Sequence, residues 1–406
     1  MRVIEKHLEL LVPAGDLEKL KVAVRFGADA VYLAVDNFGL RSRAGNFSLE
    51  DLHEAKRLTA AAGVKIYLTL NASLRAEEFT VLEQLLEELI PLDLDAYIIA
   101  DAGVLATVRQ VDPQREIHLS TQANTCNPAA GKFWRQAGAG RINLARELTL
   151  EDIAAFRSVP ELELEAFVHG AMCVAHSGRC LISTALTGRS ANRGDCAQPC
   201  RWNYQLTEEM RPGQVMSVQQ DERGTYLFNS RDLCLVEHLA ALAAAGVSSF
   251  KVEGRMKGIY YVAVVTDVYR QALNRLAAGD SQVDPNWRLE LESVSHRPYD
   301  TGFLFGTEDA KIHAGDTHYQ RSHDFVGLIR QNEAGLFVEG RNRFLPGEEL
   351  ELIGPQMKRA LIRVAGLRDL KGDELPVAQP NSQVWLDSLP GWAEAGDMLR
   401  RKLVQK

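Results

Sequence analysis

LELLVPAGDLEKLKVAVRFGADAVYLAV, residues 8–35, runs from a short apolar stretch through a helix-like pattern to a second apolar stretch. LELLVPA (8–14) and AVYLAV (30–35) carry apolar or β-branched residues on both faces, and LEKLKVAVRFG (17–27) lies between them. Strand, helix and strand in that order predict a parallel βαβ unit. Strands apolar on both faces suit a sheet covered by helices on one side and packed on the other. The same rhythm continues through KIYLTLN (65–71), AYIIA (96–100), EIHLSTQ (116–122), RINLAR (141–146), LEAFVHG (164–170) and SSFKVEG (248–254). LEDLHEAKRLTAAAG (49–63) and LEDIAAF (150–156) are among the helical segments between them. Eight strands in about 250 residues predict an α/β fold, a TIM-like (β/α)8 barrel, over an open doubly wound sheet.

The eighth run follows the seventh after a long gap. That gap, 171–247, reads as a cysteine-rich insertion at the C-terminal mouth, where barrel enzymes place their chemistry. The predicted catalytic barrel, with its insertion, is 1–280. AGDSQVDPNW introduces a polar linker over 281–323. From 324 to 406, FVGLIRQ, GLFVEGRNRF, EELELIG, LIRVAGL and SQVWLD alternate with NEAG, LPG and KGDELP. That is hairpin texture, and it predicts a small C-terminal β-barrel domain.

With 406 residues, 46% of them hydrophobic, the chain can bury a large core without a metal or disulfide to hold it. No apolar stretch approaches the roughly 18 residues of a membrane span. Glu5, Lys6 and Glu9 interrupt any signal-peptide core in MRVIEKHLELLVPAG, so a cytoplasmic protein with no membrane partner is expected. A net charge of −8 gives no global attraction to nucleic acid and leaves only a local patch to supply it. Several familiar signatures fail. HEAKR at His53 lacks the second histidine of a zincin, GAGRIN (138–143) lacks a third glycine and precedes a strand, and AAGKFW lacks the Ser or Thr after Lys132. No G-x-S-x-G elbow is present.

Cys173, Cys180, Cys196 and Cys200 are spaced C-x6-C-x15-C-x3-C. In a reducing compartment such a group points to metal ligands or catalytic thiols. Structural zinc favours close pairs, and only Cys196/Cys200 is close; an iron–sulfur cluster tolerates irregular spacing. Spacing leaves iron–sulfur, zinc and unliganded thiols open. Cys126 and Cys234 read as small buried apolar side chains, with Cys234, in the helix-like DLCLVEHLAAL, a weak alternative ligand. Arg179, Arg189, Arg193 and Arg201 against Asp195 leave a local surplus of three positive charges. They would offset a thiolate cluster, grip phosphates or simply face solvent.

Residues just after barrel strands are the candidates for chemistry. They are Arg41 and Arg43 after the second strand, Gln122 and Asn124 after the fifth, Arg146 and Glu147 after the sixth, His169 after the seventh, and Glu253 and Arg255 after the eighth. This arginine-rich mouth suits a carboxylate metabolite or RNA phosphate. His169, Arg146, Glu147, Glu253 and Arg255 are the catalytic candidates; Arg41, Arg43, Gln122 and Asn124 are the cofactor-binding ones. Two plainer readings stand beside these: a hydrogen-bonded histidine at a strand end, and Arg–Glu pairs that only bridge the mouth.

Along nearly its whole length the chain resembles the collagenase-like peptidases of unclassified mechanism. The resemblance lies in ELLVPAG (9–15), GADAVY (27–32), HLSTQANTCN (118–127), FVHGAMCVAHSGRCLIS (167–183), CAQPCRWNY (196–204) and FKVEGRMKGIYYVA (250–263). FVGLI and QVWL resemble that family's appended β domain. The branch most similar to this pattern makes 5-hydroxyuridine at the tRNA wobble position; other branches hydroxylate ribosomal RNA or the ubiquinone ring. The resemblance implies oxygen-independent hydroxylation linked to prephenate, with a [4Fe-4S] cluster on Cys173, Cys180, Cys196 and Cys200. It implies tRNA, a small anionic carboxylate metabolite and the iron–sulfur assembly machinery as partners. The insertion after Trp202 is shorter than that branch's pattern, a departure that bears on the substrate. The runner-up readings are a peptidase, as the family label says, and a non-catalytic RNA-binding accessory protein. A peptidase needs an activated nucleophile or a metal-bound water, and no such arrangement stands beside the cysteines.

Overall fold

The computed structural model describes residues 8–35, 38, 46–172, 182–189, 196–197, 199, 220–221, 224–225, 231–306, 319–387 and 389–403. Eight parallel strands form the barrel: β1 (Glu9–Pro13), β2 (Ala30–Leu33), β3 (Lys65–Leu70), β4 (Ala96–Ile99), β5 (Glu116–Leu119), β6 (Arg141–Asn143), β7 (Glu163–Ala171) and β8 (Val247–Val252). All eight coincide with the predicted runs. β8 pairs in parallel with both β1 and β7, which closes the sheet.

Helices α1 (Leu17–Arg25), α2 (Leu49–Ala62), α3 (Phe79–Leu89), α4 (Ala102–Val111), α5 (Pro128–Gln136) and α6 (Leu150–Ala155) each follow one of the first six strands. Their starts have local causes. The Asp16 side chain accepts from Lys19 N at 2.8 Å to begin α1, and Ser48 with Asp51 forms a reciprocal capping box on α2. α7 (Ile182–Thr187) and α8 (Leu239–Ala245) lie between β7 and β8, α9 (Ile259–Ala277) follows β8, and α10 (Pro285–Leu291) packs on α9.

Strand alternation sorts the side chains. Leu10, Val12, Val31 and Leu33 join the core beneath the helices, while Leu11, Ala30, Tyr32, Tyr67, Ala96 and Ile98 form a separate cluster inside the barrel. The end of β7 pairs antiparallel with a short strand, Asp232–Cys234, which pairs in turn with Tyr299–Asp300. At Asp232 the chain lies beside the same strand end that it reached at Ala171. Cys234 lies in that strand and not in a helix: DLC adds to the sheet edge, and α8 begins only at Leu239. The stretch expected as a polar linker holds α10 and buries Trp287, Leu291, Val294 and Tyr299. Its apolar residues pack against the barrel, which the polar composition of AGDSQVDPNW obscured.

The C-terminal domain is an antiparallel half-barrel. Its strands are β9 (His323–Asn332), β10 (Gly335–Gly340), β11 (Glu349–Gly354), β12 (Lys358–Arg363), β13 (Leu367–Asp369), β14 (Gln383–Leu386) and β15 (Met398–Lys402). Their order is β12-β11-β15-β9-β10-β14-β13. Val326, Ile329, Val338, Phe344, Leu352 and Leu399 make its own core. Among the described residues no helix is long and apolar enough to cross a membrane.

Candidate active site at the barrel mouth

A buried ionic column fills the barrel below the mouth. Arg141, at the start of β6, reaches across to Glu9 on β1, Nη1 to Oε1 at 2.5 Å. Tyr67 and Ser249 hydroxyls donate to the same carboxylate at 2.6 and 2.8 Å. Lys251 Nζ donates to Glu165 Oε1 at 2.7 Å, and Arg141 lies 3.5 Å from the other Glu165 oxygen. Two acids and two cations thus balance in a region where an unpaired charge would be costly. Burial alone would raise the Glu9 carboxyl, but Arg141 and the hydroxyl donors outweigh it and hold its pKa at about 2.

These residues were missed from sequence because each sits within a run read as apolar. The available signal was an ionisable residue on the inward parity of a strand otherwise built for burial: Glu9, Arg141, Glu165 and Lys251.

Above the column the mouth has a charged half. Lys251 Nζ lies 4.6 Å from the Tyr32 ring centre and 5.4 Å from that of Phe167. Arg146 stacks on the same Phe167 ring at 3.8 Å and donates to Ala171 O at 2.7 Å. Its Nη2 is 3.8 Å from Glu253 Oε2, which also accepts from the Tyr32 hydroxyl at 3.3 Å. Arg255 is buried and donates to Thr69 Oγ1 at 3.4 Å. The β1–α1 loop can approach this half only because position 15 is glycine: a Cβ there would meet Arg255 O at 2.4 Å. Among the described residues the other half presents neutral side chains, Asn71, Ser120 and Asn143. The Asn71 amide donates to Ser120 Oγ at 3.3 Å, and Asn143 closes the end of β6.

The structure thus brings Arg146 and Glu253 together and turns Arg255 toward Thr69 on β3. It withdraws His169, which is 1% exposed and walled by the rings of Tyr261, Tyr269 and Tyr299 at 5.9, 5.4 and 5.2 Å. Nδ1 is 3.3 Å from the Tyr269 hydroxyl, and burial pushes the pKa down to about 3. This geometry matches the plainer reading, a hydrogen-bonded strand-end histidine, and the buried ring is held neutral.

Gln122 lies in a one-turn helix after β5, and Asn124, in left-handed backbone at φ 53°, accepts from the Cys126 thiol at 3.4 Å. Glu147 is half-buried on the β6–α6 loop. Burial, then Glu147 and Asp152, push the Cys126 thiol up, and burial does the same to Cys234. Arg41, Arg43, Cys173, Cys180 and Cys200 lie outside the described residues. Cys196 is half-buried, and the next residue's N–H donates to Ser183 Oγ at 2.9 Å.

Among the described residues no group of three or more His, Cys, Asp and Glu is arranged to hold a metal. The cluster implied by the resemblance would fall instead to the four thiols, of which only Cys196 lies among the described residues. Their chemistry fits it, and the segment bearing them departs from the end of β7 beside Arg146 and Glu253.

The description "Peptidase family U32" matches residues 15–314, and "Peptidase family U32 C-terminal domain" matches 321–400. The chain is 36% identical over 406 residues to "tRNA hydroxylation protein P1" of Bacillus subtilis (strain 168), covering 98% of this chain and 96% of that protein. It is 41% identical to the "23S rRNA 5-hydroxycytidine C2501 synthase" of Escherichia coli (strain K12), over 86% of this chain and 50% of that one. It is 30% identical to a "Collagenase" of Porphyromonas gingivalis (strain ATCC BAA-308 / W83), over 89% and 90%.

Proposed function

The chain belongs to peptidase family U32, and from that membership we propose that it is an RNA hydroxylase. Its substrate in this reading is a tRNA wobble uridine, converted to 5-hydroxyuridine with prephenate as cosubstrate. The observation that carries it is the near full-length match to a protein named for tRNA hydroxylation. The relative named as a ribosomal 5-hydroxycytidine synthase supports the wider class, hydroxylation of an RNA pyrimidine.

The mouth supports the reading in chemical terms. Arg146 and Arg255 present guanidinium groups suited to the carboxylates of a small anionic metabolite or to RNA phosphate. Glu253, between Arg146 and the Tyr32 hydroxyl, is the group poised to hold or pass a proton. Cys173, Cys180, Cys196 and Cys200 would hold a [4Fe-4S] cluster loaded by the iron–sulfur assembly machinery. When bound, that cluster supplies one-electron chemistry. A cytoplasmic setting belongs to the same proposal.

The test is nucleoside mass spectrometry of tRNA from cells lacking the gene. We expect 5-hydroxyuridine and its derivatives to disappear, to return with the wild-type gene, and not to return with Cys196→Ala. Unchanged 5-hydroxyuridine in a strain with no second copy would overturn the proposal. The relative named collagenase favours a second reading, proteolysis. In that case the purified protein cleaves gelatin and Glu253→Gln abolishes the cleavage; cleavage that survives the substitution marks a contaminant.

A further inference from the structure

Among the described residues, the buried side-chain atoms with no hydrogen-bond partner include Asn71 Oδ1, Asn143 Oδ1 and Arg146 Nε at the mouth. A buried polar atom left unpaired costs free energy, so an orphan atom on the inward face of a strand end at a barrel mouth marks bonding capacity open to a ligand.

Their positions are set by the strands. Asn143 shares the inward parity of β6 with Arg141, which spans the barrel to Glu9. Asn71 shares that of β3 with Tyr67, which also reaches Glu9. Ser120 stands between them: it accepts from Asn71 Nδ2, and the pairing of Leu119 with Ile142 sets it level with Asn143.

The two orphan oxygens differ from the arginine half in what they want. An acceptor oxygen repels a carboxylate or phosphate and calls for a donor. Resting on the hydroxylation reading above, we infer that Asn143 and Asn71 bind the target nucleoside, Asn143 Oδ1 accepting from uracil N3–H and Asn71 Oδ1 from a ribose hydroxyl. Burial orders the two contacts. Asn143 is 2% exposed and Asn71 is half-buried, so the base enters first and the sugar stays at the rim. Extruded bases are read in this way, by hydrogen bonds to their pairing edge. The arginine half is thereby left to the anionic cosubstrate, and one mouth sorts two ligands by donor and acceptor character.

The test is equilibrium binding of the full chain to synthetic anticodon stem–loops. One carries uridine at the wobble position, and the other carries 3-methyluridine, which lacks the N3 proton. The wild type should prefer uridine by about tenfold or more, ~1.4 kcal/mol, within the range for an amide reading a base edge. Asn143→Ala should shrink that ratio to about threefold or less, whereas a purely structural role would weaken both RNAs alike. If that variant does not fold, Asn143→Ser stands in, with the same expectation. Asn71→Ala should lessen the preference for ribose over 2′-deoxyribose at the wobble nucleotide. Equal wild-type binding of the uridine and 3-methyluridine loops would overturn the inference and leave tRNA hydroxylation standing. So would a folded Asn143 variant that keeps the wild-type ratio. If the wild type binds no stem–loop at all, the hydroxylation reading fails along with it.

Discussion

The imidazole of His169 shows how far burial moves a group that its position after a strand marks for proton transfer. Enclosed by three tyrosines, it has a pKa near 3 in the folded chain, against about 6.5 when unfolded. Between those values the unfolded chain binds a proton that the folded chain refuses, so protons favour unfolding. Stability from this group is complete above about pH 6.5 and is lost as pH falls toward 3, with a slope of ~1.4 kcal/mol per pH unit. Replacing it by His169→Gln should flatten the stability curve between pH 6 and 4.5 by about one proton, whatever the substitution does to absolute stability. Urea melts at several pH values would check this. A variant as acid-sensitive as the wild type in that window would mean that the folded state accepts the proton after all. The same residue marks a limit of sequence reading. The place of His169 in the chain is visible from FVHG, but the three tyrosines arrive from α9 and from beyond α10, and no local pattern announces them.

At the scale of elements, every barrel strand was legible, because apolar runs of strand length separated by helices leave few alternatives. What those runs concealed was the inside of the barrel. LEAFVHG and SSFKVEG read as core strands, yet Glu165 and Lys251 face each other across the β7–β8 seam. Periodicity assigns a residue to a face, but it does not say whether a facing strand supplies the opposite charge. The seam therefore carries a sharp expectation. Lys251→Met leaves Glu9 and Glu165 to share Arg141 in a buried site, and should cost roughly 3–5 kcal/mol in a denaturant melt. Adding Glu165→Gln restores neutrality, since Glu9 and Arg141 remain paired, and should recover most of the loss. The non-additivity of the two changes measures the coupling. Additive losses would show that packing, not charge, holds the seam. The charged half of the mouth was legible as residue types after strands. The neutral half was not, because Asn71 and Asn143 become notable only once their oxygens are seen to lack partners.

At the scale of the whole molecule, the half-barrel is not a bead on a string. Leu328, Ile353 and Met398 belong to the barrel's own hydrophobic cluster, and Phe325 stacks on Tyr260 of α9 at 5.6 Å. Glu18 of α1 takes Arg330 and Arg341 at 2.6 and 2.5 Å, while Arg25 at its other end takes Asp397 at 2.5 Å. Arg400 is 1% exposed and joins Glu290 of α10, Glu351 of β11 and the Tyr260 hydroxyl. The helices so braced, α1 and α9, cover β1 and β8, whose loops carry Gly15, Glu253 and Arg255. The appended domain therefore stiffens the charged half of the mouth from outside. It follows that the two domains unfold together, in one calorimetric transition. Arg400→Met breaks the most buried link but leaves Glu290 paired with Arg359 at 2.6 Å. Its cost should therefore fall at the lower end for a buried ion pair, ~3 kcal/mol. The weakened joint should also let the half-barrel melt ahead of the barrel, splitting the transition. A variant that melts as one unit within about 0.5 kcal/mol of the wild type would assign the coupling to the apolar contacts of Leu328, Ile353 and Met398 instead.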